Sequence, residues 1–359
     1  MSRLRRSFQE GGPEPVGLEF AATLLPLWGF PAGAAISPAD EQGTNNRTFL
    51  VRHGQQRYVL RVSGLLSVAE VRAEHQILSR LRQGGLPFQV PEPVAAPNGQ
   101  TVIGTSAGPA VISRWLPGVR PDMNGEAAFE RFGRTVGVLG AALAKVPLAN
   151  ALRDWRTDPR WAQPGDPPVD VVCGELRTAG MSARQAEVIG EADRRIGRWW
   201  PGADGLPAQV IHADLAPSNV LADPDTGQVT GLLDFEAAGA GFRVQDVLAA
   251  LYLSTALGTP DWPRRSAALL RGCASVRRLE PAEVAAMPEL LIARSLGSVL
   301  WRAARWRGGI GHIGEVTAHV GKLEAITGWL AANQDAFLAV AASANAGSVK
   351  PRGRGPGLW

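Results

Sequence analysis

The chain has 359 residues, a length that suits one large domain or two packed lobes. With 45% hydrophobic and 19% charged residues, its composition excludes a fibrous protein and a broadly disordered one. Two terminal segments, 1–15 and 344–359, carry charges of +1 and +3, which together equal the net charge of +4. We predict that both are disordered basic tails. Because the remaining body is then close to neutral, no nucleic-acid partner is expected.

The segment 16–115 is predicted to form an N-terminal lobe made mostly of β-sheet. Residues 46–62, NRTFLVRHGQQRYVLRV, have the pattern of a β-hairpin with a polar turn in the middle. Ser67 and Glu70 form a Ser-x-x-Glu capping box, which predicts that a helix begins there and continues to Gln83. Further short strands are predicted from there to residue 115.

A Pro- and Gly-rich stretch, LPGVRPD, follows the last of these strands and is predicted to be a hinge. Beyond it, 116–343 is predicted to form a C-terminal lobe of long helices with one strand-rich part at 208–235. Helices are predicted over Glu126 to Lys145, Ser182 to Trp200, Val244 to Leu257, 288–306 and 313–342.

The two cysteines, Cys173 and Cys273, are a hundred residues apart, without Cys-x-x-Cys or zinc-type histidine spacing. No apolar segment follows the basic residues near the N-terminus, and no run of about 18 uninterrupted apolar residues occurs. We therefore expect a reduced, cytoplasmic protein with no membrane partner. The sequence makes no prediction of oligomeric state.

A polar stretch in the strand-rich part, VIHADLAPSNVL, contains Asp214 and Asn219, and the hairpin that follows it leads to Asp234. The hairpin is predicted to turn at Asp223 to Gly227, which places Asn219 opposite about residue 231 and brings Asp234 to the same open end. Carboxylate and amide oxygens at one strand end suit Mg²⁺ beside substrate phosphates, and one carboxylate remains to act on a hydroxyl. The alternative interpretation is a polar turn with its own hydrogen bonds.

Three segments, HADLAPSNVL, LLDFEAAG and VQDVLAAL, resemble the catalytic segments of the aminoglycoside phosphotransferase and choline kinase superfamily, and are most similar to its homoserine-kinase-like members. The resemblance implies a protein-kinase-like bilobal α+β fold, with a small antiparallel sheet and one helix in the N-lobe and a larger, mainly helical C-lobe. It implies ATP as donor and Mg²⁺ as cofactor. Asp214 would position or deprotonate the acceptor hydroxyl, and Asn219 and Asp234 would bind the metal. His212 and Asp246 would support the catalytic loop, and Asp246 also suits a helix N-terminal cap.

The first lobe offers an independent indication of a phosphate-binding site. Glu74 shares a helix face with Val71 and Leu78, so its carboxylate points inward and needs a partner. Arg61, on the preceding strand, is the available cation, although kinases most often have lysine at this strand position. An ordinary ion pair is the alternative interpretation.

Further nucleotide contacts are implied by the same resemblance. Gly43 and Thr44 lie in a short segment, EQGTNN, that resembles the reduced phosphate-binding loop of this superfamily. The backbone expected to hold adenine is that of the hinge residues Ser113, Arg114, Trp115 and Leu116.

Five residues are candidates for substrate recognition. Asp154 and Asp158 lie in a polar and aromatic segment and suit a cationic substrate, unless that segment is only a solvated loop. Arg294 and Arg305 share a helix face and suit an anionic group such as the carboxylate of homoserine, unless that face meets water. Glu236 either contacts metal or substrate or merely ends the hairpin.

We predict an enzyme that transfers the γ-phosphoryl group of ATP to a hydroxyl of a small molecule. A small-molecule kinase is preferred over a protein kinase because the sequence lacks the Asp-Phe-Gly and Ala-Pro-Glu pair that brackets an activation segment. Only eleven residues separate Asp234 from Asp246, which leaves no room for such a peptide-binding segment. A homoserine-kinase-like metabolite enzyme is preferred. The alternatives are an aminoglycoside or other antibiotic phosphotransferase, a choline- or ethanolamine-type kinase and, from a different class, a catalytically silent nucleotide-binding regulatory module.

Overall fold

The structure is a computed structural model, and it describes residues 16–31, 33–40, 46–151, 153–156 and 166–347. The predicted phosphate-loop residues Gly43 and Thr44 and the predicted substrate residue Asp158 lie outside these ranges. The predicted tail 1–15 and residues 348–359 of the second predicted tail also lie outside them.

The N-terminal lobe contains a five-stranded antiparallel sheet with the strand order β1-β2-β3-β5-β4. The strands are β1 (Ala35–Pro38), β2 (Asn46–His53), β3 (Gln56–Ser63), β4 (Ile103–Thr105) and β5 (Gly108–Arg114). Alternate residues of the two central strands are buried, among them Phe49, Val51, Leu60 and Val62, as expected for strands with one covered face. The predicted hairpin over 46–62 is confirmed.

Two helices accompany this sheet, α1 (Leu18–Leu24) and α2 (Val68–Gln83). The sequence interpretation missed the short helix α1. The predicted capping box of α2 is present, because Ser67 Oγ accepts from the Glu70 N–H and the Glu70 carboxylate accepts from the Ser67 N–H. The helix buries Glu74 together with its apolar face.

Seven helices form most of the C-terminal lobe in the described part of the chain. They are α3 (Glu126–Leu143), α4 (Val169–Thr178), α5 (Ala183–Trp199), α6 (Val244–Leu253), α7 (Trp262–Ala274), α8 (Pro281–Arg307) and α9 (Ile313–Ala346). The predicted helices correspond to five of these, and α4 and α7 were missed. The predicted α+β bilobal fold is confirmed, because a small antiparallel sheet forms one lobe and helices form most of the other. The predicted capping boxes at the starts of α2 and α5 are both present.

Three predicted helix ends were wrong, each for a local reason. Helix α6 ends before Thr255, whose φ of 58° lies in the left-handed region. Helix α8 begins at Pro281 rather than at 288, because Glu280 forms a capping box and proline suits the first helical turn. Helix α9 continues to Ala346, so residues 344–346, which were assigned to a disordered tail, are helical.

Four short strands carry the middle of the C-terminal lobe. Strand β6 (Ala208–Ile211) pairs with β9 (Gly239–Phe242), and β7 (Val220–Ala222) pairs with β8 (Val229–Leu232). A bulge lies at Leu221/Ala222. The Ala222–Val229 pair already differs by one residue from the predicted register, and the bulge adds one more. Asn219 therefore pairs with Leu233 and not with residue 231, and the Leu233 N–H donates to the Asn219 carbonyl at 2.8 Å.

Close packing of α3 and α7 depends on glycine. A Cβ atom at Gly133 of α3 would lie 1.9 Å from the Leu269 carbonyl oxygen, and one at Gly272 of α7 would lie 2.1 Å from the Glu130 carbonyl oxygen. No side chain fits at either position, so the two helix backbones approach each other directly.

Helix α8 is the one helix in the described ranges that is long and apolar enough to cross a membrane by length and composition alone. Its most apolar 18-residue window has a mean hydropathy of 1.3, and 67% of that window is buried inside the protein. Such burial is typical of the central helix of a helical core. Helix α8 packs extensively against α9 and also contacts α5 and α6.

A buried ion pair joins the start of α6 to the start of α8. The side chains of Arg243 and Glu283 are 8% and 0% exposed, and Arg243 Nε donates to Glu283 Oε1 over 2.9 Å.

We expect Glu283→Ala to lower the free energy of unfolding by about 3 kcal/mol, because it leaves a buried guanidinium without its counter-charge. Urea denaturation measures this loss. As a control, Glu289→Ala breaks a more exposed pair with Arg195 and should cost about 1 kcal/mol; equal losses would contradict the prediction.

Candidate active site

The loop after β6 is held in place by a carboxylate from α6. Asp246 Oδ2 accepts from the His212 N–H at 2.9 Å, and its Oδ1 accepts from the Ala213 N–H at 2.8 Å. The predicted N-terminal cap was wrong, since Arg243 occupies the N-cap position and Asp246 lies inside the first turn of the helix. Burial raises the pKa of Asp246, while His212 and the two N–H groups oppose this rise. The predicted contact with the loop is therefore present.

His212 is fully buried beneath this loop. Its Nδ1 accepts from the Asp214 N–H at 3.3 Å, so the proton lies on Nε2, which is 3.1 Å from the Leu233 carbonyl oxygen. The imidazole also packs on the Phe235 ring, with 4.5 Å between the ring centroids. Both ring nitrogens thus bind backbone, which fits the loop-support interpretation better than a role in proton transfer.

Asp214, Asn219 and Asp234 converge as predicted, although through a different register. Asn219 Nδ2 donates to the Asp214 carbonyl oxygen at 2.9 Å and to Asp214 Oδ2 at 3.1 Å. The amide oxygen of Asn219 is then available to a cation. Asp234 follows directly after Leu233 and adopts a φ of 63°, which turns the chain out of the strand.

Asp234 lies in a strongly acidic environment. Burial and the neighbouring Glu236 raise its pKa to about 7, with a further contribution from Asp214 and an opposing one from Arg61. Carboxylates crowded in this way repel each other until a cation joins them. Mg²⁺ usually takes one or two protein carboxylates together with substrate phosphates, and the oxygen donors here fit that pattern. Within the described ranges, no three His, Cys, Asp or Glu side chains form a metal site by themselves.

Arg61 and Glu74 form the predicted pair. Arg61 Nη2 lies 2.8 Å and 2.6 Å from the two Glu74 carboxylate oxygens, and the two side chains are 19% and 5% exposed. Burial lowers the pKa of Arg61, but Glu74 outweighs this effect, so the pKa is above its usual value. The negative charges of Glu236 and Asp234, in the other lobe, raise the pKa of Arg61 further.

Glu236 makes a contact between the lobes that the sequence interpretation missed. Asn46 Nδ2, at the start of β2, donates to Glu236 Oε2 at 2.6 Å. Asn46 is the last residue of the predicted phosphate-loop segment EQGTNN and the first residue of β2, so the available signal was a polar residue where that segment enters the first long strand. Glu236 is therefore not simply the end of a hairpin.

The four predicted hinge residues lie at the end of β5 and just beyond it. The Trp115 N–H donates to the Arg57 carbonyl oxygen, and the Arg114 N–H donates to the Glu92 carbonyl oxygen, both at 3.0 Å. The Leu116 N–H donates to no group in the described part of the chain. None of the four, Ser113 included, lines the cleft that contains Asp214.

That cleft has a volume of about 1840 Å³ and is lined by both lobes. Helix α8 contributes Arg294, Ser298, Trp301 and Arg302, so the polar face of this helix meets the cleft. Arg305 does not line the cleft but lies against the Trp301 ring, with its guanidinium carbon 4.8 Å from the ring centroid. The sequence interpretation found this face but not Arg302.

Asp154 does not line the cleft, contrary to the prediction of a substrate role. Its carboxylate is paired with Arg156, with Nε to Oδ1 at 2.8 Å and Nη2 to Oδ2 at 2.6 Å, and this pair lowers its pKa. Its neighbours Arg153 and Trp155 line the cleft instead. Charge alone does not distinguish adjacent residues that point in different directions.

Comparison with known proteins identifies relatives over most of the chain. The sequence profile of the phosphotransferase enzyme family matches residues 38–286. A homoserine kinase of Azorhizobium caulinodans is 31% identical over 269 residues, which cover 74% of this chain and 79% of the relative. A homoserine kinase of Gluconobacter oxydans is 29% identical over 272 residues, which cover 74% and 81%.

Solved structures agree on the fold. A microcompartment-associated aminopropanol kinase has a TM-score of 0.68 at 20% identity, over 89% of this chain and 98% of that one. An aminoglycoside 2'-phosphotransferase solved with GDP has a TM-score of 0.60 at 14% identity, over 87% and 100%. These likenesses confirm the predicted kinase-like bilobal architecture.

Proposed function

This chain belongs to the phosphotransferase enzyme family and is a small-molecule kinase, and from that premise we propose that it transfers the γ-phosphoryl group of ATP to the hydroxyl of a homoserine-like metabolite. The observation that carries the reaction is that Asp214 and Asp234 both line the cleft, while Asn219 donates a hydrogen bond to the Asp214 carboxylate from directly behind it in the chain fold. The proposal on the acceptor depends on the positive charges of Arg294 and Arg302, through which α8 lines the cleft.

The donor side of the proposed site is built from both lobes. Arg61, held by Glu74, would contact the donor phosphates, and the unused Leu116 N–H would donate to adenine. Asn219 and Asp234 would hold magnesium, with Glu236 beside them. A magnesium ion bound there would neutralise part of the charge on the donor phosphates.

In the proposed transfer, a side chain of this protein accepts the one proton that the acceptor hydroxyl loses. The acceptor hydroxyl oxygen forms a bond to the γ-phosphorus, the bond from this phosphorus to the β–γ bridging oxygen breaks, and ADP leaves. The hydroxyl proton passes to the Asp214 carboxylate, which Asn219 fixes through Oδ2. Orientation and charge neutralisation supply most of the acceleration in such reactions.

Arg302 supports an acceptor that carries an anionic group. It lines the cleft, donates hydrogen bonds to Ser298 and lies over the Trp301 ring of its own helix, and no carboxylate of the described residues lies within ion-pair distance. Burial lowers its pKa, the negative charge of Glu315 opposes this effect, and the positive charge of Arg305 lowers the pKa further. A carboxylate on the acceptor, as in homoserine, would stabilise this partly buried guanidinium. The homoserine kinases among the relatives agree with this acceptor.

A cationic acceptor is the second candidate, because Asp166, Asp170 and Asp193 also line the cleft. Aminoglycosides, choline and ethanolamine belong to this class. Their positive charges would meet these carboxylates but would be repelled by Arg294 and Arg302.

A screen of ATP consumption against homoserine, choline, ethanolamine and aminoglycosides tests the proposal, with the phosphorylated product identified by ³¹P NMR. We expect transfer to homoserine. Arg302→Met should raise the KM for homoserine about 30-fold, because a charge-assisted contact contributes roughly 2 kcal/mol. Arg156→Met is the matched control, since Arg156 lies outside the cleft lining and should leave this KM unchanged.

Two results would contradict the proposal in different ways. Transfer confined to aminoglycosides would show that the acidic residues Asp166, Asp170 and Asp193 select the acceptor, and not Arg302. Equal stabilisation of wild type and Asp214→Ala by magnesium and ATP, with no alcohol phosphorylated, would instead favour the silent nucleotide-binding module.

A further inference from the structure

Ala213, directly before Asp214, has an unusual backbone conformation. Its φ is 66°, in the left-handed region that residues with a Cβ rarely occupy. Such a conformation persists only where the surrounding structure enforces it. The Ala213 N–H is fixed by Asp246 at 2.8 Å, as described above. The carbonyl group of Ala213 needs a hydrogen-bond donor of its own to hold the residue in this conformation.

Arg294 of α8 supplies that donor. Its Nη1 donates to the Ala213 carbonyl oxygen at 2.8 Å, although 81 residues separate the two in the chain. The Arg294 side chain is only 13% exposed, and its neighbours in the helix, Ala293 and Ser295, are buried. Its guanidinium therefore lies at the wall of the cleft and is largely shielded from solvent.

The same guanidinium also reaches the carboxylate expected to act on the acceptor. Arg294 Nη2 lies 3.5 Å from Asp214 Oδ1, whereas Asn219 Nδ2 donates to Asp214 Oδ2 at 3.1 Å. Two groups from different elements thus contact the two oxygens of one carboxylate, which is itself 43% exposed to the cleft. This arrangement restricts rotation of the carboxylate as well as the peptide before it.

We propose that Arg294 is a positioning residue for the catalytic loop, which holds the Ala213–Asp214 peptide in its left-handed turn and fixes the orientation of the Asp214 carboxylate. The kinetic part of this inference rests on the proposed function of Asp214, while the structural part does not. Arg294 then acts through Asp214, in contrast to the acceptor-binding role assigned to Arg302.

Hydrogen–deuterium exchange of the full-length protein tests the structural part without any acceptor. In Arg294→Met we expect exchange within 210–220 to rise about 10-fold or more, because the loop loses one of its two anchors. Arg294→Lys keeps one donor and should restore part of the protection. The matched control is Arg307→Met, which removes a guanidinium from the same helix but from an ion pair with Glu175.

Steady-state kinetics test the functional part. Arg294→Met should lower kcat about 100-fold, with KM for ATP and for the acceptor changed less than about 3-fold, and Arg294→Lys should recover about 10-fold of kcat. A raised acceptor KM with unchanged kcat would overturn the proposal and make Arg294 a substrate-binding residue. Exchange in Arg294→Met equal to that in Arg307→Met would also overturn it. If wild type phosphorylates no acceptor, the proposed function fails, and the exchange comparison still decides the positioning role.

Discussion

Replacing Asp214 with Asn should lower kcat about 1000-fold, because an amide keeps the size of the side chain but cannot accept the proton of the acceptor hydroxyl. The amide oxygen of the variant can still accept from Asn219 Nδ2, and only the long 3.5 Å contact with Arg294 Nη2 is lost. Because Arg294 also holds the Ala213 carbonyl oxygen, the loop should keep its shape. Asn219 and Asp234 are untouched. We therefore expect the affinity for ATP and magnesium, measured by calorimetry, to change less than about 3-fold.

A nearby carboxylate provides the control for this experiment. Asp225 lies exposed in the turn of the hairpin that carries Asn219 and Asp234, and Asp225→Asn should leave kcat unchanged. If Asp214→Asn kept more than a tenth of the wild-type kcat, proton acceptance by Asp214 would be of little importance, and the enzyme would depend on orientation of the phosphates alone.

Replacing Asp234 with Asn should have two opposite effects, on activity and on stability. Activity should fall by about 1000-fold or more, because a neutral amide is a poorer ligand for a hard cation than a carboxylate. The metal-free protein should nevertheless become more stable above neutral pH, since the change removes a carboxylate that is crowded by Glu236. Asparagine tolerates the left-handed backbone at this position.

The pH dependence of this stabilisation has a definite sign. The pKa of Asp234 is raised to about 7 in the folded protein by burial and by Glu236, so the folded state binds this proton more tightly than the unfolded state. The contribution of this carboxyl group to the free energy of unfolding therefore falls as pH rises from its unfolded pKa to about 7, and stays low above that.

Thermal unfolding without metal measures the effect. The Tm of Asp234→Asn should exceed that of wild type by a margin that grows from pH 5 to pH 8, reaching about 2–5 °C at pH 8. Magnesium and ATP should then raise the Tm of wild type more than that of the variant. A margin that does not change with pH would show that Asp234 is not held in an unfavourable ionised state.

Local signals in the sequence predicted the parts of the site that depend on near neighbours. The capping box at Ser67 predicted the start of α2 correctly. The position of Glu74 on the buried face of that helix predicted its ion pair with Arg61. The hairpin brought Asn219 and Asp234 together, but the bulge after Leu221 shifted its register, and nothing in the residue types of a turn specifies such a bulge.

Contacts between distant parts of the chain left no local pattern to interpret. Asn46 and Glu236 are 190 residues apart, and Arg294 and Ala213 are 81 residues apart, so each contact depends on how whole elements pack. The close approach of α3 and α7 at Gly272 is another contact between distant parts of the chain that the residue types of α7 do not specify.

The hydrogen bond between Asn46 and Glu236 makes the charge environment of the proposed metal site depend on the relative orientation of the two lobes. Any rotation of one lobe that lengthens this 2.6 Å bond would take from Glu236 a donor that partly offsets its repulsion with Asp234. In the proposed function, lobe closure on nucleotide and cation binding would therefore share one coupling free energy. By thermodynamic reciprocity, nucleotide would then strengthen the binding of magnesium by the same factor by which magnesium strengthens the binding of nucleotide, whichever is added first.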